Sequence, residues 1–97
     1  MPTIGKGKTR MEKQWVVYIL ECKDRTLYTG ITDDLSHRLA MHNSGKGAKY
    51  TRGRGPLILR YRENCEDRSS ASKREAAIKK LSKTQKLTLI QSYTQHD

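Results

Sequence analysis

The sequence predicts a small α/β domain of the α+β type, with elements in the order β-β-α-β-α-α. Three patterns carry that expectation: the doubly apolar run WVVYILEC at 15–22, a helical stripe at Leu35, Arg38, Leu39 and His42, and helix formers recurring from Ser70 to Leu81. At 97 residues the chain has room for one core and not for two.

Residues 1–14 hold Pro2, two glycines around Lys6 and no apolar period, so they read as a flexible basic N-terminal arm. The run from Trp15 to Cys22 is β-branched and aromatic on both faces, as a strand covered on both sides must be, which places it at the centre of a sheet. A polar turn at Lys23 to Thr26 leads into LYTGI at 27–31, and the two strands form an antiparallel hairpin. Within the second strand, Gly30 marks a close approach of backbone or ligand. Thr32 or Asp33 is expected to cap a helix beginning near Asp34, and Gly45 to end it. From Ser44 to Pro56, four glycines alternate with Lys46, Lys49, Arg52 and Arg54 without an apolar period, predicting a mobile basic loop. LILRYRENC at 57–65 sets Leu57, Leu59 and Tyr61 against Ile58, Arg60 and Arg62, the pattern of an edge strand. A helix over 70–81, a break near Ser82 to Thr84 and a last helix through Leu87 and Ile90 complete the domain, taken as 15–93, with 94–97 as a tail.

Charge narrows the partner. Twenty Lys and Arg against ten Asp and Glu give a net charge of +10, of which the arm carries +3, so the folded part is basic in its own right. The cations are scattered through foldable sequence and do not line one amphipathic face, which favours nucleic acid over a membrane surface. The longest apolar run, Val16 to Leu20, is far below the ~20 residues of a membrane span. Cys22 and Cys65 form neither a CxxC pair nor a disulfide framework, so a reduced, cytoplasmic protein is expected. No P-loop, HExxH or GxSxG pattern supports nucleotide hydrolysis, zinc proteolysis or serine-hydrolase chemistry.

Several residues can carry chemistry. Glu75 is the only acid among seven basic residues between Arg68 and Lys86. It can serve as an i, i+4 partner for Lys79, or as a hard oxygen ligand for a divalent cation inside a cationic surface. Arg38 and His42 lie one helical turn apart, suited either to covering Leu side chains or to a phosphate clamp with a proton carrier beside it. Tyr18 and Tyr28 occupy the two arms of the hairpin, as a packing pair or as phenols tuned by nearby cations. Tyr50 and Tyr61 can stack on a base or pack.

Val17-Tyr18-Ile19, Tyr28-Thr29-Gly30 beginning nine residues beyond Ile19, then Arg38, His42 and Glu75 together resemble the GIY-YIG nuclease superfamily. The GKGAKYTR segment at 45–52 and the ExxIKxLS helix at 75–82 resemble its small stand-alone bacterial members. The resemblance covers residue 15 to about residue 90. It implies a three-stranded antiparallel sheet flanked by helices, and cleavage of a DNA phosphodiester with one Mg²⁺ or Mn²⁺, in repair or recombination. Carried over, Tyr18 and Tyr28 are the motif tyrosines, one of them orienting or activating water, and Gly30 permits close packing. Arg38 steadies the phosphate, His42 fills a position that is often His or Tyr, and Glu75 holds the metal. DNA ahead of RNA is then the partner of Lys46, Lys49, Tyr50, Arg52 and Arg54, with the chain a monomer or weak dimer. The alternative is a nucleic-acid-binding module with a vestigial site. Val17 and Thr29 depart from the family triplets without removing a phenol, and residues 76–97 contain no Asn where many members place one.

Overall fold

The computed structural model describes residues 14–47 and 51–94; the arm at 1–13, Lys49 and Tyr50, and the extreme C-terminus lie outside the described residues. The elements are β1 (Trp15–Glu21), β2 (Leu27–Thr32), α1 (Leu35–Asn43), β3 (Ile58–Cys65), α2 (Arg68–Lys79) and α3 (Lys83–Thr94), in the expected order. They build one antiparallel sheet ordered β2-β1-β3, so the doubly apolar run is the central strand and the third strand lies at an edge. Gln14, assigned to the arm from sequence, is tied to the sheet by a 2.9 Å hydrogen bond from its amide nitrogen to the Cys65 carbonyl.

Alternation along β1 divides the core. Val16, Tyr18 and Leu20 face one side with Cys22 and Leu57, against Leu35 and Leu39 of α1. Val17 and Ile19 face the other with Tyr61, Ile78 of α2 and Ile90 of α3. The third strand corrects one expectation, because Leu57, Leu59 and Tyr61 do not share a face. Ile19 pairs with Tyr61 but Leu20 pairs with Leu59, leaving Arg60 as an extra residue. One inserted residue reverses the alternation beyond it, so Leu59 stays on the α1 side while Tyr61 crosses to the α2 and α3 side. There its ring meets Tyr93 edge-on at 5.5 Å, a packing role.

Helix starts also differ by a residue or two. Asp34 caps α1 by accepting from the His37 amide, whereas Thr32 uses its hydroxyl to accept from the Asp34 amide. Thr32 and Asp33 therefore precede the cap, and the side chain that accepts from the free first-turn amides is Asp34. Gly45 follows α1 with φ +84°, a backbone conformation that favours glycine. Asp67 and Ser70 form a reciprocal capping box, which starts α2 two residues ahead of the expected Ser70. Before α3, Ser82 and Gln85 exchange side chain to backbone hydrogen bonds of 2.9 and 3.1 Å.

Candidate active site

The site assembles at the β2 edge of the sheet. Tyr18 stands in register with Gly30, and a Cβ on Gly30 would lie 2.6 Å from the Tyr18 hydroxyl and 3.0 Å from the Tyr28 ring. The missing side chain is what lets the two rings converge, with centroids 6.3 Å apart. His42, one helical turn after Arg38 on α1, completes the cluster: its ring lies 5.4 Å from that of Tyr28 and 6.1 Å from that of Tyr18, edge-on to both. Its Nε2 is 3.1 Å from the Tyr18 hydroxyl, and its Nδ1 is 2.9 Å from the hydroxyl of Thr51.

Burial separates the two motif tyrosines. Tyr18 is 1 % exposed. Loss of solvation pushes its phenol well above the usual range, helped by Tyr28 and the negative charge of Glu75 and opposed by Arg38. Tyr18 thus keeps its proton. Tyr28 is only half-buried, and it borders an open cleft of about 340 Å³ with Leu27, Thr29, Lys79 and Lys86. His42 is 3 % exposed, and burial followed by the Arg38 charge holds its pKa below the ordinary value. It is therefore a neutral imidazole near pH 7.

Arg38 and Glu75, from helices on opposite sides of the sheet, both exert their charge on the Tyr18 phenol. Each is half-buried, and the Glu75 carboxylate meets Lys79 Nζ at 3.2 Å, the i, i+4 pair that its spacing allows. Tyr18, Tyr28, Gly30 and His42 are thus in contact, and Arg38 and Glu75 reach this cluster through their charge on Tyr18. The basic loop is more varied: Lys46 and Arg52 are exposed, whereas Arg54 pairs with Asp24 across the β1–β2 turn. Its described ends are anchored, since Lys46 donates its amide to the Met41 carbonyl and the Leu57 amide donates to Asn43 Oδ1. Thr51 is the site residue that sequence reasoning missed. The only available signal was an uncharged hydroxyl residue in a stretch of cations and glycines, which does not distinguish a buried residue from a solvated one.

The hairpin with its paired tyrosines, the helix-borne Arg and His and the carboxylate on α2 define a GIY-YIG architecture. The family pattern of the GIY-YIG catalytic domain matches residues 14–88, and the chain belongs to that nuclease family. It is 60 % identical over 79 residues to a UPF0213 protein of Desulfotalea psychrophila, covering 80 % of this chain and 72 % of that one. A UPF0213 protein of Oceanobacillus iheyensis is 52 % identical, covering 84 % of this chain and 94 % of its relative. The solution structure of a UPF0213 protein from Bacillus halodurans superposes with a TM-score of 0.53 at 46 % identity, over 80 % of this chain and 83 % of that one. A second solution structure, of a protein from E. faecalis, gives 0.60 at 42 % identity over 86 % and 88 %.

Proposed function

We propose that the chain is a divalent-metal-dependent endonuclease that hydrolyses DNA phosphodiester bonds, selecting its substrate by structure in repair or recombination. The observation that carries this reading is that one guanidinium and one carboxylate, from separate helices, both act electrostatically on the Tyr18 phenol, whose hydroxyl lies beside Gly30 and His42. A phosphodiester at that place has a bidentate cation for its nonbridging oxygens in Arg38 and an oxygen donor for a metal in Glu75.

The donor set bears on the metal. Among the described residues no three of His, Cys, Asp and Glu are grouped to hold an ion. Glu75 is the ligand we assign, and one carboxylate suits Mg²⁺ or Mn²⁺ completed by water and substrate oxygens, with Lys79 exchanged for the ion. When bound, such an ion supplies positive charge for the oxygens of the displaced group. Arg38 stabilises the charge that develops on the phosphoryl oxygens. Tyr28, at the mouth of the cleft, orients the attacking water, while buried Tyr18 and His42 hold the Tyr28 ring in place. Lys46, Lys49, Tyr50 and Arg52 guide the DNA backbone towards the site, and Arg54 joins them by exchanging Asp24 for phosphate.

The Glu75–Lys79 ion pair, and the lack of an Asn in residues 76–97, favour a binding module with a vestigial site. Cleavage of supercoiled, branched and flapped DNA with added Mg²⁺ or Mn²⁺ separates the two readings, with binding measured in parallel. Glu75→Ala and Arg38→Ala are each expected to lower turnover by about 10²–10³-fold while DNA binding survives. If wild type and both variants behave alike, the chain is the binding module.

A further inference from the structure

We propose that Thr51 is a positioning residue: its hydroxyl oxygen accepts from Nδ1–H of His42, turns the Nε2 lone pair towards Tyr18, and ties the basic loop to the tyrosine cluster.

A buried phenol that keeps its proton needs an acceptor, because an unmade hydrogen bond in the interior costs the full desolvation of the group. Tyr18 is 1 % exposed, and its hydroxyl partner among the described residues is His42 Nε2 at 3.1 Å. Nε2 can accept only while the proton of the neutral imidazole sits on the other nitrogen, and that tautomer holds only where the other nitrogen finds an acceptor of its own. That other nitrogen, Nδ1, lies 2.9 Å from Thr51 Oγ1, which can accept it. The fixed tautomer is thus a property of the chain Thr51, His42, Tyr18.

The place of Thr51 makes the contact more than local. It is 1 % exposed although Arg52 and Gly53 beside it are exposed, so the loop dips inward at this one described position. The loop touches His42 a second time at Gly47, where a Cβ would lie 2.8 Å from the His42 Cα. His42 is therefore gripped by the same basic segment from two points, and its ring in turn abuts both tyrosines. The exposed cations Lys46 and Arg52 are the chain neighbours of Gly47 and Thr51, so a DNA backbone held by either lies one residue from a His42 contact. Its bearing on catalysis rests on the nuclease reading, but the tautomer does not.

The test uses the full chain with ¹⁵N-labelled histidine and long-range ¹H–¹⁵N correlation of the imidazoles near neutral pH, with His42→Gln identifying the signal. Wild type is expected to show a protonated Nδ1 and an unprotonated Nε2. In Thr51→Val that tautomer should give way to a mixture or to its opposite, and Thr51→Ser should restore it. In cleavage assays Thr51→Val should lower kcat by about 10-fold with KM little changed, the lower end of what outer-shell partners of metal-bound histidines contribute. Nε2 protonated in wild type overturns the proposal without any variant, and so does a Thr51→Val protein that keeps the wild-type tautomer. If the tautomer behaves as expected and wild type cuts no DNA, the nuclease reading fails and the positioning role stands.

Discussion

Both sides of the sheet are closed by apolar contact, but only the α1 side adds a buried chain of polar side chains. On the α2 and α3 side, Val17, Ile19, Ile78 and Ile90 are closed by apolar contact, with Tyr61 as the polar-tipped exception. On the α1 side, Tyr18, His42 and Thr51 are just as deeply buried but are held by directional hydrogen bonds among side chains. Apolar burial is non-directional and tolerates small shifts, whereas a buried polar chain requires each member at its place or leaves an unsatisfied group behind. Both sides hold the domain together, and the polar chain on the α1 side fixes the geometry of the tyrosine cluster as well. Glu75 links them: it projects its charge onto Tyr18 from a helix whose Ile78 belongs to the apolar side.

That contrast can be broken by mutation. Ile78 is 0 % exposed, and Ile78→Ala is expected to lower unfolding free energy by about 2–5 kcal/mol in denaturant melts. The His42 imidazole signals should stay put in the folded fraction; movement there would show that the two sides are not independent. Gly30→Ala attacks the polar side. Its methyl would meet the Tyr18 hydroxyl at 2.6 Å, where the ring is held by His42 and cannot swing clear. A loss of about 1–3 kcal/mol is expected, together with loss of the Tyr18–His42 hydrogen bond. A Gly30→Ala protein with unchanged stability and unchanged Tyr18 resonances would remove the packing argument for this glycine.

Smaller effects sharpen the picture. Because burial and Arg38 depress the folded pKa of His42, the unfolded chain takes up that proton at higher pH than the folded one. The resulting stability is present above the unfolded value of about 6.5 and is lost as pH falls through the folded pKa. Thermal melts should therefore drop as pH is lowered from about 7 through this range, and His42→Gln should flatten that slope. Asp24 and Asp67 are likewise depressed, by hydrogen bonds with Thr26 and Ser70, but they titrate below this window. Smallest of all, Arg52→Ala should lower the slope of log K against log salt for DNA binding by about 0.9, as expected for one lost phosphate contact. An unchanged slope would place Arg52 off the DNA path.

Much of the fold was legible in local pattern. A run apolar on both faces belongs in the middle of a sheet, and β1 lies there between β2 and β3. The stripe of Leu35 and Leu39 predicts the buried face of α1, and His42 on the same stripe is buried with it. The capping box was written in Asp67 and Ser70, three residues apart, but was eclipsed by the alanines downstream. The Arg60 insertion was not legible, because a bulge is defined by the partner strand and no single strand announces it.

The sequence by itself determined the element order, the basic charge and the list of candidate site residues, since these follow from spacing, composition and side-chain type. Only the tertiary structure decided which tyrosine is buried and which opens on a cleft, because the two phenols are equivalent until neighbours remove or admit water. It also decided that Thr51, in a loop that reads as solvated, lies against His42. Side-chain hydrogen bonds between elements depend on how the chain returns to itself, which short-range periodicity does not encode.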